Sequence, residues 1–328
     1  MEKLIYEDKY FIYDRPVKVN LKFILKRIAY FFYNIYYKIL LSVLKPQNNC
    51  VDKKYNVSIC AIFKDEANYL KEWIEFHKIV GVEHFYLYNN NSSDNYKEIL
   101  KPYIEKKVVT LIDWPKPQSQ MEAYKDCVDN YAKETKWFGF IDLDEFVVPN
   151  DYEDIYSFLK NFEKNRPVVI VYWKQFGSSG IINRDINRLV TEDFTVAWRK
   201  YVNIGKYFFN TKYNYLSNHK RNEYMHAMWA EFKGIALPPV NCFDKIYLFG
   251  VNRATSVEPP IQINHYLLKS FSEYVEKKSK RGGGIHVDMH NLDYFWNHEK
   301  KSQAVDYHLH KYLVKLKLAM NEFQNEVK

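Results

Sequence analysis

The segment 138–149 (FGFIDLDEFVVP) constrains the fold of this chain more than any other part of it. An apolar run leads directly into Asp142, Asp144 and Glu145, and a second apolar run follows. A continuous apolar run is typical of a strand that is buried on both faces, as in a parallel sheet covered by helices. The segment therefore predicts an α/β protein with carboxylates clustered at the end of a central strand.

The three carboxylates of this segment also predict a bound cation. Carboxylates so close together repel one another and resist burial unless a positive charge lies among them. Mg²⁺ and Mn²⁺ prefer oxygen ligands and often bridge to phosphate, and ligands of open α/β sheets bind beyond the carboxyl ends of the strands. An Asp-x-Asp pair at this place indicates a metal that holds a nucleotide diphosphate. The alternative is an ordinary acidic loop.

Strands and helices alternate upstream of the acidic segment, which is typical of β-α-β units and a parallel sheet. The apolar periodicity predicts strands at 56–63, 84–88, 107–114 and 137–141, and helices at 67–80, 96–104 and 120–132. The sequence contains no glycine-rich phosphate loop, so the P-loop and dinucleotide-binding classes are disfavoured.

Polar residues follow the first two predicted strands. They are Lys64, Asp65, Glu66, Asn89, Asn91 and Asp94. Because the carboxyl ends of parallel strands share one edge of the sheet, we expect these residues to lie near Asp142 and Asp144 and to form one nucleotide site. The asparagine-rich run from 89 is otherwise a simple turn, since Asn and Asp favour turns.

The second half of the chain is less regular. It predicts strands at 167–173, 240–250 and 261–265, a basic helix at 270–280, and a helical region from 285 onward. We expect three parts along the chain. These are an N-terminal segment 1–54 with an amphipathic helix, a main α/β domain 55–284, and a helical C-terminal extension 285–328.

Composition limits the partners. The net charge of +8 favours anionic partners such as nucleotide-sugars, acidic glycans or an anionic membrane surface. No arginine-rich stripe or recognition helix indicates nucleic acid. The four cysteines are scattered without a C-x-x-C pair, which favours reduced thiols in a cytoplasmic protein. The aromatic content of 18% suits stacking on sugar or nucleotide rings, although an AT-rich genome also explains it.

Residues 20–45 (NLKFILKRIAYFFYNIYYKILLSVLK) are apolar and aromatic. They are interrupted by the basic residues Lys22, Lys26, Arg27 and Lys38. The uninterrupted apolar part is shorter than the roughly 20 residues that a membrane span needs. A basic aromatic helix of this kind fits peripheral contact with a membrane, on the inner face of the cytoplasmic membrane for a cytoplasmic protein. Packing against the domain or a partner is the alternative, and a true span is a third.

Five segments in order resemble glycosyltransferases of the GT-A fold, in particular family 92 and the family-2-like bacterial enzymes. The matching segments are 57–77 (VSICAIFKDEANYLKEWIEFH), 84–94 (HFYLYNNNSSD), 137–149 (WFGFIDLDEFVVP), 173–180 (WKQFGSSG) and 265–282 (HYLLKSFSEYVEKKSKRG). The resemblance implies a mixed, mostly parallel Rossmann-like sheet flanked by helices. It also implies Mn²⁺ or Mg²⁺, a UDP-sugar donor, inversion at the anomeric carbon and galactose as the sugar. The segment 233–238 (KGIALP) fits the family, but the histidine expected about a dozen residues later is missing.

The resemblance also implies roles for individual residues. Asp144 would bind the metal, Asp142 the metal or the ribose, and His265 would be a third ligand from the C-terminal side. Lys269 and Arg281 would contact phosphate, with solvated surface charge as the alternative. The uracil and ribose would be held by Glu66, Asn89, Asn91 and Asp94, with Phe63 stacking on the base and Gln120 and Tyr124 lining the donor pocket.

An inverting transfer also needs a general base that deprotonates the acceptor hydroxyl. Glu231 fits, because it follows the metal segment and has aromatic and apolar neighbours that would raise its pKa. Glu223 and Asp244 are alternatives. His286 and His290 lie four apart, and without an acidic partner they predict surface histidines.

The acceptor cannot be named by residue pattern, and a lipid-linked surface glycan is our expectation. Two other functions use the same features. A sugar nucleotidyltransferase would use the same carboxylates, although its glycine- and basic-rich opening loop is missing. A non-catalytic glycan-binding or scaffold protein is the second, and the intact Asp142, Asp144 and His265 disfavour it.

Overall fold

A computed structural model describes residues 2–3, 12–13, 17–18, 21–44, 46, 52–216, 228–248, 255–278 and 290–326. The strands are β1 Glu2–Lys3, β2 Ile12–Tyr13, β3 Val17–Lys18, β4 Tyr55–Phe63, β5 His84–Asn89, β6 Val109–Asp113, β7 Thr135–Phe140, β8 Glu145–Pro149, β9 Val168–Gln175, β10 Val196–Trp198, β11 Tyr201–Asn210, β12 Asn214–Tyr215, β13 Ala230–Phe232, β14 Ile235–Leu237, β15 Val240–Asn241, β16 Ile261–His265 and β17 Ser302–Val305. The α-helices are α1 Leu21–Val43, α2 Ala67–Ile79, α3 Tyr96–Glu105, α4 Gln120–Tyr131, α5 Ile155–Leu159, α6 Val190–Asp193, α7 Phe271–Glu273, α8 Leu292–Glu299 and α9 Leu313–Glu326. A π-helical turn spans Tyr274–Lys278 and a 3₁₀ turn spans His308–Tyr312.

One mixed sheet organises the main domain. Its strand order is β6-β5-β4-β7-β11-β9-β16-β8, with β2 beside β11 and β15 beside β9. The first four strands are parallel to one another, β11 and β8 run antiparallel to their neighbours, and β9 and β16 are parallel. The predicted α/β architecture, a mostly parallel sheet flanked by helices, is confirmed.

Helix α2 covers this sheet because its apolar residues recur at helical spacing. Leu70, Trp73 and Ile74 are fully buried, and the helix packs on β8 and on α9. A helix with one such stripe buries it against a sheet and leaves its polar residues at the margin. The exposed margin of α2 is narrow, because α9 packs on the side of α2 that faces away from the sheet and Tyr312 packs on Phe76.

Strand β16 is inserted between β9 and β8, although it comes much later in the chain. It pairs His265 with Gln175 on one side and with Glu145 on the other. The register therefore places a histidine from the C-terminal part of the domain directly beside the acidic segment.

Within the described residues 240–248, the predicted strand 240–250 is wrong beyond Asn241. The side-chain oxygen of Asn241 accepts hydrogen bonds from the backbone N–H groups of Phe243 and Lys245, 3.0 Å each, and reverses the chain. Asp244 completes the turn with a φ of 55°. Asparagine favours such local bonds over a strand ladder.

The C-terminal extension contains a strand as well as helices. β17 pairs with β10, so residues 302–305 are joined to the main domain. The division of the chain at 54 and 284 stays a prediction. Glu223, Arg281 and His286 lie outside the described residues.

Helix α1 packs on the main domain through one stripe. Tyr30, Tyr37 and Leu41 are buried, the Tyr30 hydroxyl donates to the Ile246 carbonyl at 3.0 Å, and the Tyr37 ring meets the Trp229 ring edge-on at 5.5 Å. The predicted alternative of packing on the domain is thus observed. No helix in the described part of the chain has the length and apolar character to cross a membrane.

Candidate functional site

The acidic segment forms a tight loop between β7 and β8. The Asp142 N–H donates to the Glu145 carboxylate at 2.9 Å, and the Glu145 N–H donates back to the Asp142 carbonyl at 3.1 Å. The indole N–H of Trp73 lies below the loop and reaches the carbonyls of both Asp142, at 3.1 Å, and Glu145, at 2.8 Å. One buried side chain of α2 thereby fixes both ends of the loop.

A second residue of α2 supports the strand that follows the loop. His77 Nδ1 lies 2.8 Å from the Trp73 carbonyl, and the Val147 N–H lies 3.2 Å from His77 Nε2. Because the carbonyl can only accept and the N–H can only donate, the imidazole is neutral with its proton on Nδ1. Burial lowers the pKa of His77 to about 3, which agrees with that assignment.

The carboxylate of Asp142 has three polar partners. Lys206 Nζ donates to Oδ2 at 2.7 Å, Gln120 Nε2 donates to Oδ1 at 2.7 Å, and the Tyr124 hydroxyl lies 3.3 Å from Oδ1. Lys206 is completely buried on β11. Burial alone would lower the pKa of Lys206, but the carboxylates of Asp142 and Glu145 outweigh it and raise that pKa. Lys206 is therefore a permanent buried cation beneath the acidic loop.

Asp144, Glu145 and His265 form the group that fits a metal ion. Each offers one ligand atom, and the three atoms lie within 4.8 Å of one another. Oε1 of Glu145 is buried and has no hydrogen-bond partner among the described residues, while Oε2 lies 4.0 Å from Lys206 Nζ. Burial, with Asp142 and Asp144 nearby, raises the pKa of Glu145 well above its usual value despite Lys206. A divalent cation would satisfy that oxygen and offset the repulsion, so the donor set fits Mn²⁺ or Mg²⁺.

His265 completes this group from the neighbouring strand. Its Nε2 lies 3.7 Å from Oδ1 of Asp144, and its ring packs on that of Trp173 with centroids 4.6 Å apart. The next residue strengthens the link, since the Tyr266 N–H donates to the Asp144 carbonyl at 2.8 Å. The structure thus brings together Asp144 and His265, as the sequence predicted, and adds Glu145.

The loops after β4 and β5 are joined to each other. The Asp65 carboxylate accepts from the Ser93 N–H at 2.7 Å, and Asp94 accepts from the Ala67 N–H, at the start of α2, at 2.8 Å. Asn91 is exposed with a φ of 55°, which leaves its amide near the Pro115 carbonyl at 3.4 Å. These residues lie on one edge of the sheet, where a nucleotide was predicted.

Two residues predicted to contact the nucleotide make contacts within the protein instead. The Asn89 amide donates to the Tyr96 hydroxyl at 2.8 Å and to the Asp113 carboxylate at 3.1 Å, and its oxygen accepts from the Ser92 N–H at 3.0 Å. Phe63 is 3% exposed and meets the Tyr96 ring edge-on. Both side chains shape the loop from within, and their contact with a base stays a prediction.

Basic residues gather beside Glu66. Lys277 Nζ lies 2.7 Å and Lys269 Nζ 3.9 Å from the Glu66 carboxylate, and Lys269 Nζ lies 3.3 Å from the centre of the Tyr69 ring. An open cavity of about 300 Å³ next to them is lined partly by Asp65, Tyr69 and Lys277. Acidic side chains, among them Glu273 and Glu276, line the cavity as well, so contact of Lys269 with phosphate stays a prediction.

The candidate general base lies on a different sheet from the strands that hold the acidic loop. Glu231 is half-buried on β13, the middle strand of the three-stranded sheet β12-β13-β14. Of its rivals, Asp244 is bound by the guanidinium of Arg166, with Nη2 at 2.7 Å from Oδ2.

Comparison with known proteins identifies the family. The model of glycosyltransferase family 92 matches residues 53–242, which is more than half of the chain. The chain belongs to glycosyltransferase family 92. The matched region contains the acidic loop, Lys206 and Glu231, whereas His265 and Lys269 lie beyond its end.

Individual relatives cover shorter parts. A family 92 protein of Oryza sativa subsp. japonica is 31% identical over 111 residues, which cover 34% of this chain and 19% of the relative. A beta-1,4-galactosyltransferase of Caenorhabditis elegans is 33% identical over 109 residues, covering 29% of this chain and 26% of the relative. A galactan beta-1,4-galactosyltransferase of Arabidopsis thaliana is 33% identical over 106 residues, covering 29% and 21%. The matches thus span about a fifth to a quarter of these curated relatives. Among solved structures, TarS of S. aureus is similar with a TM-score of 0.33 and 10% identity, covering 50% of this chain and 51% of that chain.

The sequence prediction missed two residues of this candidate site and placed a third only in part. Trp73 was assigned only to the apolar face of α2, and Lys206 was not considered. Glu145 was counted among the carboxylates around a cation but was not assigned as an individual ligand. Lys206 carries a signal, since it is a lysine inside the apolar run of a central strand, where an unpaired charge is costly. Trp73 carries none, because its two acceptors are backbone carbonyls about seventy residues away.

Proposed function

We propose that this protein is a metal-dependent, inverting glycosyltransferase that moves a sugar from a UDP-sugar to a surface-glycan acceptor. The observation that carries the proposal is the group of Asp144, Glu145 and His265, with a buried, unsatisfied carboxylate oxygen, inside a family 92 fold. Asp144, Glu145 and His265 would hold Mn²⁺ or Mg²⁺. The bound ion would supply charge neutralisation for the diphosphate leaving group.

The residues around this group have separate tasks in the proposal. Lys206 and Gln120 hold the Asp142 carboxylate in one orientation, and this carboxylate is 31% exposed, so it remains accessible to a ribose hydroxyl or to the metal. Lys206 also balances the negative charge of the loop before a donor binds. A fixed arrangement of this kind requires little reorganisation during the reaction.

The donor would bind along the edge formed by the ends of β4 and β5. Glu66, Asn91 and Asp94 are proposed to hold the uridine, and Lys269 the diphosphate. Lys269 lies four residues after His265 and has a φ of 54°, so the backbone folds sharply between the metal group and the Tyr69 cavity. Lys269 is therefore close in the chain both to the metal group and to the residues around the Tyr69 cavity.

Glu231 is proposed as the general base that deprotonates the acceptor hydroxyl. The ion pair of Asp244 with Arg166 favours Glu231 over Asp244, because a carboxylate held by a guanidinium is less available to an acceptor hydroxyl. Galactose is proposed as the sugar, since two of the relatives are named as beta-1,4-galactosyltransferases.

The acceptor and the location complete the proposal. A lipid-linked glycan on the cytoplasmic face of a membrane is proposed as the acceptor, with segment 20–45 in peripheral contact with that membrane. Buried free thiols at Cys60, Cys127 and Cys242 are consistent with a reducing compartment.

The test is release of free nucleotide from a panel of UDP- and GDP-sugars, with Mn²⁺ and with a chelator, for the full chain. Metal-dependent release from one donor, lost in Asp144→Ala, is expected. Asp129→Ala is the matched control, because it removes an exposed carboxylate of α4 that pairs with the neighbouring Lys125 on the surface. It is expected to behave as the wild type.

Calorimetry of UDP binding with Mn²⁺ covers the case in which turnover needs the true acceptor. Metal-dependent UDP binding that Asp144→Ala abolishes would support the proposal without turnover. Absence of both binding and release would refute it in favour of a scaffold protein. Turnover of a nucleoside triphosphate with a sugar phosphate would instead indicate a sugar nucleotidyltransferase.

A further inference from the structure

Helix α1 exposes an apolar surface far larger than the stripe it buries. Leu21, Ile28, Phe32, Ile35, Ile39 and Val43 are each at least 45% exposed. Their spacing of three, four and seven residues places them on one side of the helix, which we call the outer face. A contiguous exposed apolar surface of this extent marks an interaction site.

The packing of α1 fixes where the outer face points. Tyr30, Tyr37 and Leu41 lie against the domain, and the hydrogen bond from Tyr30 to Ile246 holds the helix at that rotation. At 100° per residue, Phe32 and Ile39 lie about 200° from Tyr30 and Tyr37. The outer face therefore points directly away from the domain.

The charges of α1 suit an anionic surface. The helix contains no Asp or Glu. Lys26 and Lys38 are exposed, and both lie off the outer face, towards the flanks of the helix. An apolar face flanked by lysines is the pattern of helices that lie in the plane of a membrane, with apolar side chains in the acyl boundary and cations among anionic headgroups.

The breadth of the apolar surface favours a bilayer over a second helix. Ile24, Leu25, Phe31 and Tyr36 are also exposed and extend it on both sides of the outer face. A helix partner covers a stripe roughly 100° wide, whereas the exposed apolar side chains run around the outer face from Phe31 to Tyr33, which is also exposed, and take in about 200° of the circumference at 100° per residue. Lipid covers such a surface throughout, over the roughly 35 Å that 23 residues of helix span.

We propose that α1 lies in the interface of an anionic bilayer on its outer face and holds the small sheet β12-β13-β14 next to the membrane. α1 contacts β14, and Tyr37 packs on Trp229, which directly precedes β13. Glu231 lies on β13, so its sheet would face lipid-borne molecules. That last step rests on the proposed function, in which Glu231 is the base for a lipid-linked acceptor.

The test is flotation of the full chain with vesicles of phosphatidylcholine alone or with one third phosphatidylserine. Binding to the anionic vesicles is expected, and the triple variant Ile28→Ser, Phe32→Ser, Ile39→Ser should lower the partition coefficient roughly a hundredfold. The matched control is Val314→Ser with Leu318→Ser on α9, which removes two equally exposed apolar side chains elsewhere. It should bind as the wild type.

A second pair of variants tests the role of charge. Lys26→Gln with Lys38→Gln should weaken binding to anionic vesicles roughly tenfold or more and leave binding to neutral vesicles little changed. Circular dichroism and UDP binding with Mn²⁺ verify that each variant is folded. Failure of the wild type to float with anionic vesicles would overturn the proposal. So would a dimer in light scattering that the outer-face variant dissociates, because a second copy would then cover the face.

The two proposals fail separately. Vesicle binding with neither metal-dependent UDP binding nor nucleotide release would keep the membrane contact and refute the transferase. Metal-dependent UDP binding without vesicle binding would support the transferase and refute the membrane contact.

Discussion

Trp73→Phe tests the inference that α2 holds the acidic loop in place. The substitution keeps an aromatic ring in the core and deletes the one N–H that reaches the carbonyls of Asp142 and Glu145. Loss of a buried donor to two acceptors costs about 1–3 kcal/mol, and the smaller ring adds about 1–2 kcal/mol for the space it leaves. We expect a total loss of about 2–5 kcal/mol in the free energy of unfolding.

Trp137→Phe is the matched control. Trp137 is as deeply buried as Trp73, on the strand that leads into the same loop, but its indole nitrogen has no hydrogen-bond partner. Its replacement therefore costs only the packing share, and it removes an unsatisfied N–H. The two variants are compared by urea denaturation and by calorimetric titration of UDP with Mn²⁺.

The difference between the two variants isolates the hydrogen bonds of the loop. Trp73→Phe should be less stable than Trp137→Phe by about 1–3 kcal/mol. It should also bind UDP and Mn²⁺ at least several-fold more weakly, while Trp137→Phe retains the affinity of the wild type. Equal stability of the two variants, or equal binding, would refute the inference that Trp73 positions the loop.

Three further predictions concern the same region. Lys206→Met should destabilise the protein by about 3–5 kcal/mol in urea denaturation, because Asp142 and Glu145 then lose their buried counter-charge. The control Lys125→Met replaces an exposed lysine and should destabilise the protein by less than about 1 kcal/mol. Glu145→Gln should raise the melting temperature without metal, since burial disfavours the charged carboxylate at this position, yet it should lower Mn²⁺ affinity at least tenfold by calorimetry. Unchanged Mn²⁺ affinity would contradict the assignment of Glu145 as a ligand. His77 should make the protein sensitive to acid, because the unfolded imidazole binds a proton below about pH 6.5 whereas the folded one stays neutral down to about pH 3. The free energy of unfolding should therefore fall by about 2 kcal/mol from pH 7 to pH 5. In a His77→Gln variant, the free energy of unfolding should depend less on pH over this range.

The first half of the fold could be predicted from sequence because its signals are local. Strands β4, β5 and β7 are buried on both faces, and each therefore appears as an apolar run; a helical pattern follows β4 and β5. Part of the metal group could be predicted for the same reason, since Asp144 and Glu145 come shortly after such an apolar run. The family resemblance then supplied His265.

The parts that were missed depend on distant partners. The ion pair between Lys206 and Asp142 joins residues 64 positions apart, and nothing near Lys206 in the chain indicates its partner. Gly205, next to Lys206, permits the close approach of β11 to β9, because a Cβ atom at this position would lie 1.7 Å from the Val171 carbonyl oxygen. The register of β11 shifts between Val202 and Gly205, and such irregularities leave little trace in a hydrophobic pattern.

The insertion of β16 between β9 and β8 has a consequence for how the chain folds. Among the described strands, β8 pairs only with β16, so Glu145 gains its sheet neighbour only after residues 261–265 have been synthesised and have closed a long loop. Non-local pairing of this kind is slow, because the entropy of loop closure is lost before the contacts form. The edge of β9 stays open in the meantime and is exposed to mispairing. Assembly of the metal group is therefore tied to one of the last steps of folding, and a nascent or truncated chain that ends before residue 261 carries the family 92 segment without a complete site.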